Sequence, residues 1–131
     1  MDIDWIRGLC LSLPGATEQI LWGNDLVFKV GGKMFAAAPL EPGRICLSFK
    51  CSDEDFAELI EHPGIIPAPY AARAHWVALE SDSALRRTEI EHFLRQAHTL
   101  IVGKLSKKLQ SEILASKPRT KKRRSPKPRS G

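Results

Sequence analysis

Residues 3–13 place Ile3, Ile6, Leu9, Cys10 and Leu13 at helical spacing, with Asp2 and Asp4 at the positive end of the dipole, and Pro14-Gly15 ends the run. The period then shortens. Gln19–Trp22, Leu26–Val30, Lys33–Ala38 and Arg44–Phe49 read as four strands, divided by Gly23-Asn24-Asp25, Gly31-Gly32 and Glu41-Pro42-Gly43. Gly31-Gly32 suits a two-residue primed turn, which requires positive φ at both positions. That loop would set Phe28 opposite Phe35 and Lys29 opposite Met34, with both phenylalanines facing the helices. In the fourth strand Ile45, Leu47 and Phe49 share one face, and Arg44, Cys46, Ser48 and Lys50 the other. Ser52 followed by Asp53-Glu54-Asp55 is a helix start. Phe56, Leu59 and Ile60 are its buried side, and His62-Pro63-Gly64 stops it. The proline-bearing stretch to Arg73 reads as a loop, and His75–Leu79 as a fifth strand. Ser81-Asp82-Ser83 would cap a last helical region whose stripe runs Ile90, Phe93, Leu94, Ala97, Ile101, Leu105, Leu109, weakened at Gly103. This order predicts an α+β fold: one two-layer domain, an antiparallel sheet of about five strands with helices on one face.

The chain has 131 residues, enough for one core, with 43% hydrophobic and 27% charged residues. No apolar run reaches the length of a membrane span, and Met1-Asp2-Ile3-Asp4 is acidic where a secretory signal is basic. The expected location is therefore cytoplasmic, with nucleoid association, and no membrane partner. Cys10, Cys46 and Cys51 are odd in number and form no C-x-x-C pair, so neither a disulfide framework nor a zinc site is expected.

Charge divides the chain unevenly. Of twenty basic residues, eight (Lys117, Arg119, Lys121, Lys122, Arg123, Arg124, Lys127, Arg129) lie beyond residue 116 with no acidic residue among them. Residues 1–116 hold twelve basic residues against fifteen acidic ones, a net −3, while the whole chain is +5. The sequence thus divides into a folded domain, 1–112, and a basic C-terminal tail, 113–131, rich in Lys, Arg, Pro and Ser, which predicts disorder.

Six short pieces in order then resemble one known family. They are Leu13-Pro14-Gly15-Ala16-Thr17-Glu18 with Trp22-Gly23, Gly32-Lys33-Met34-Phe35-Ala36, Pro63-Gly64, Pro67-Ala68-Pro69-Tyr70, His75-Trp76-Val77 and Lys104-Leu105-Ser106-Lys107-Lys108. Together they resemble the MmcQ/YjbR family over about residues 3–110. The resemblance implies a CyaY-like fold, helices over one face of an antiparallel sheet, and DNA binding through a "double wing" of strands. The chain departs from the family pattern at Ala71-Ala72-Arg73-Ala74, where many relatives carry a His-Leu-Asn-Lys-like run, and at Ala97-His98, where Ser-Tyr is common.

The candidate chemistry follows the charge. Eight tail cations near phosphates would release counterions with a log–log salt slope as steep as about −7, largely without sequence preference. Lys29 and Lys33 lie near a hairpin tip, Arg44 and Lys50 share a strand face, and Lys104, Lys107 and Lys108 share a helical face. The competing reading of the last three is that they complement a helix C-terminus. Trp22, Tyr70 and Trp76 could stack on bases, but tryptophans in a small sheet are more often core or edge anchors. No nucleophile elbow, P-loop, dinucleotide fingerprint or H-E-x-x-H occurs, and His62, His75, His92 and His98 lack ligand spacing. No enzymatic activity, metal or cofactor is expected, and a monomer is. The function expected is sequence-independent binding of nucleic acid, duplex DNA in particular, mainly through the tail. The alternative is a protein-interaction or small-ligand module using the open sheet face or the Pro63–Tyr70 loop, which the −3 domain favours.

Overall fold

The computed structural model describes residues 2–69, 74–81 and 83–115; Tyr70, Arg73 and the basic residues from Lys117 onward lie outside them. The elements run α1 (Ile3–Leu11), β1 (Ala16–Leu21), β2 (Asp25–Val30), β3 (Lys33–Pro39), β4 (Leu47–Lys50), α2 (Asp53–Leu59), β5 (Ile65–Pro67), β6 (Trp76–Leu79), α3 (Arg87–Val102) and α4 (Lys107–Ala115). The strands form one antiparallel sheet in the order β1-β2-β3-β4-β6-β5. The fold is α+β, with the helices on one face. Among the described residues, no helix is long and apolar enough to cross a membrane.

The core lies between sheet and helices. Phe28, Phe35, Leu47, Phe49, Val77 and Leu79 point inward against Ile6, Cys10, Leu59, Ile90, Leu94 and Ala97. Phe49 stacks on Phe93, and the Phe35 and His98 rings meet in a T-shaped contact. The His98 Nε2–H donates to the Pro14 carbonyl at 2.7 Å, tying α3 to the turn between α1 and β1. Arg7 on α1 pairs with Glu18 on β1 at 2.6 Å, so the edge strand is fastened from the helix side.

The Gly31-Gly32 turn forms as expected, both glycines at positive φ, with Lys29 opposite Met34 and both phenylalanines facing the helices. The register differs by one residue: Phe28 lies opposite Ala36, because Phe35 is the extra residue of a bulge at Phe28/Lys29. The bulge lets Phe35 and Ala36 both reach the core.

Five further elements depart from the sequence reading. The sheet has six strands: Ile65–Pro67 pairs with β6 at the sheet edge, where the missing N–H of Pro67 is tolerated. The first strand starts at Ala16 and stops before Trp22, which takes φ 50 in the turn. The fourth begins at Leu47, so Ile45 leaves the Leu47/Phe49 face and packs on the outer side with Ala68, Trp76 and Ala78. Ser81 makes a local turn, accepting from Ser83 N–H, while Arg86 is the N-cap of α3, its N–H donating to the Glu89 side chain. The last helical region is two helices. The chain turns at Gly103–Ser106, and Ser106 Oγ accepts from Leu109 N–H to begin α4. Ile113 is buried against Gly15, so folded structure continues through Ala115, past residue 112.

Candidate nucleic-acid interface

Antiparallel pairing carries the β2–β3 turn, the end of β4 and the start of β6 to one end of the sheet. The α3–α4 junction lies over that end. A Cβ on Gly31 would meet Leu105 Cδ1 at 2.5 Å and Leu109 Cδ2 at 3.2 Å, so turn and junction touch. This contact gathers lysines from distant stretches of sequence. Lys33 flanks the turn, and exposed Lys104, Lys107 and Lys108 surround the buried Leu105. Lys50 and Lys104 line the same hollow of 610 Å³ beside them.

Lys50 is not on a wet strand face. It is 7% exposed and its Nζ donates to the Ala74 carbonyl. Burial holds its pKa below the usual lysine range, and the nearby Lys104 charge lowers it further. Its carbonyl partner, Ala74, lies just before β6, a contact that adjacent-residue alternation does not reveal. Lys29 is half-buried on the outer face opposite Met34. Arg44 belongs elsewhere: it lies at the opposite end of the sheet, its Nε 2.9 Å from Glu80. Lys107 and Lys108 begin α4, where positive charge opposes the dipole, so dipole complementation does not explain them; Lys104, just past the end of α3, does fit it. Asp53, Glu54 and Asp55 open α2 at the edge of the hollow, and Asp53 is 2.7 Å from His75 Nδ1. The lysine end is therefore bordered by acid on the α2 side.

Cys51 lines the hollow next to Lys50, whereas Cys10 lies in the core. Burial pushes the Cys10 thiol up to about 12 and is the main cause raising Cys51 to about 11. Among the described residues no group of three or more His, Cys, Asp or Glu side chains converges.

The tryptophans divide. Trp76 is 7% exposed and anchors the outer face, as expected of a sheet tryptophan, whereas Trp22 is 68% exposed. Between them runs a groove of 660 Å³ on the open face, whose lining includes Asp25, Met34, Ile45 and Ser48. The sequence reading named the open face as a surface but singled out none of these four side chains. The outward alternation of Asp25, Val27 and Lys29 in β2 was the available signal.

No curated protein matches the chain. The YjbR family model matches residues 11–100, from the end of α1 to within α3, and so spans the whole sheet; the chain belongs to the YjbR family.

Proposed function

We propose that the protein binds nucleic acid, duplex DNA in particular, through its phosphates and with little regard to sequence. The observation that carries this reading is the gathering of Lys33, Lys104, Lys107 and Lys108 around the Gly31–Leu105 contact. None of the four has an ion-pair partner among the described residues. Such cations on adjoining turns suit the spaced charges of a phosphate backbone, and backbone contacts position a protein without specifying bases. The chain leaves α4 at Ala115, and eight more basic residues follow within the next fourteen. The domain end supplies fixed contacts and the C-terminal segment supplies most of the affinity, since each added cation releases further counterions.

Fluorescence anisotropy with a labelled random-sequence duplex tests this. At low salt the full chain binds. Lys104→Glu, Lys107→Glu and Lys108→Glu together weaken binding at least about tenfold, because three attractive contacts become repulsive. Unchanged affinity in that variant would remove the domain from the interface, and no binding by the full chain would remove the function.

A further inference from the structure

The groove on the open face holds none of the lysines proposed to meet phosphates. Its 660 Å³ lies within the range of small-molecule sites, and its lining is mostly apolar with a few polar groups, the usual make-up of a ligand pocket. Trp22 and Trp76 provide aromatic surface, and Met34 and Ile45 provide aliphatic contact. Two side chains supply polarity, Asp25 and Ser48, and neither makes a side-chain hydrogen bond or ion pair among the described residues.

Charge selects the class of ligand. Asp25 is the one charged side chain among the described residues lining the groove. The adjoining hollow shares Trp22, Asp25 and Ile45 and adds Glu41 and Arg44. Arg44 is already held by Glu80, so it does not neutralise Asp25. An anion would be repelled here, and a neutral ligand covering Asp25 would strip its water without replacing it. A cation satisfies the carboxylate and is attracted to the faces of the indole rings.

Trp22 supports the same reading independently. A bulky residue at φ 50 is strained, and its ring is 68% exposed, so it contributes little to the core. Asparagine or glycine would occupy that turn position at lower cost, and strain retained at an exposed aromatic residue points to a role in binding.

We propose that this groove binds a hydrophobic organic cation, its positive group against Asp25 and the indole rings and its apolar body against Met34 and Ile45.

The test is titration of the ¹⁵N-labelled full chain with benzyltrimethylammonium, read at the three indole N–H signals. Benzenesulfonate serves as the anionic control. The cation shifts Trp22 and Trp76 and leaves Trp5 in place, since Trp5 lies on α1 against the helix-side core with Arg87 over its ring, and benzenesulfonate binds at least about tenfold more weakly. Asp25→Asn weakens the cation about fivefold to tenfold. Trp22→Asn, which relieves backbone strain and so keeps the fold, abolishes the shift at Trp76. Equal binding of cation and anion would overturn the proposal. So would undiminished affinity in Asp25→Asn, or no shift at either indole in the low-millimolar range.

Discussion

Replacing Gly31 with alanine tests the contact that gathers the lysines, and Gly32 provides the control. Both lie at positive φ, +60 and +81, where an alanine costs about 1–2 kcal/mol. They differ in what a Cβ would meet. At Gly32 there is nothing within 4 Å, whereas at Gly31 Leu105 Cδ1 is at 2.5 Å and Leu109 Cδ2 at 3.2 Å. The first distance is about 1 Å inside the optimal carbon–carbon separation. Leu105 is 9% exposed, so it must leave its rotamer or the turn must lift from the α3–α4 junction. Such overpacking adds about 1–3 kcal/mol. Gly32→Ala should therefore lose about 1–2 kcal/mol, and Gly31→Ala about 2–5 kcal/mol, by urea denaturation with unchanged m-values. Duplex affinity should fall in Gly31→Ala and hold in Gly32→Ala. Equal losses of stability in the two variants would refute the docking of the turn on Leu105.

Trp22→Asn should raise stability by about 1 kcal/mol, because asparagine adopts the left-handed region more readily; thermal melting checks it, and a loss would show that the ring contributes to folding. His98 has a pKa held below its ordinary value mainly by burial, partly offset by its bond to Pro14. A base with a depressed folded pKa favours the fold above its unfolded value of about 6.5, so melting temperature should decline as pH falls below that point. His98→Ala should remove this decline and cost about 1–3 kcal/mol at pH 7.5, since the Pro14 carbonyl loses its donor. For the thiols the sign reverses: Cys10 and Cys51 are raised, so stability should fall as pH climbs above about 9, where the unfolded chain ionises them first. In the native protein at pH 8, a thiol reagent should modify half-buried Cys46 ahead of Cys10, and mass spectrometry of the labelled peptides reads the order.

Features set by neighbouring residues were legible in the sequence. The Gly31-Gly32 turn, the Ser52 cap and the Phe28/Phe35 facing follow from local chemistry and alternation, and each is present. The fold class followed as well, from the order of helices and strands. The rest depended on pairing across the chain. Ile65–Pro67 is a strand because β6 offers it an edge; two β-branched residues between prolines are too short a run to announce one alone. Ile45 turns outward because the chain bends before β4, which a perfect alternation from Arg44 to Phe49 concealed. Lys50 keeps the strand's alternation, but its ammonium is taken up by the Ala74 carbonyl and lies beside Lys104 rather than in water. The candidate interface shows the same limit. The lysines were visible singly, but their gathering depends on a turn at residue 31 meeting a leucine at residue 105. The break at Gly103 was marked as a weak point, though not as the start of a second helix with two lysines in its first turn. Arg44 was grouped with Lys50 by alternation, yet the sheet sets it at the other end, paired with Glu80.

The salt dependence of duplex binding tests the central claim most directly. The full chain is compared with a variant carrying Lys33→Gln, Lys104→Gln, Lys107→Gln and Lys108→Gln, with log K followed against log salt. The four domain lysines acting together should make the variant's slope shallower by about 3–4, while a steep slope from the C-terminal cations remains. Identical slopes, or no association by the full chain at low salt, would contradict the account.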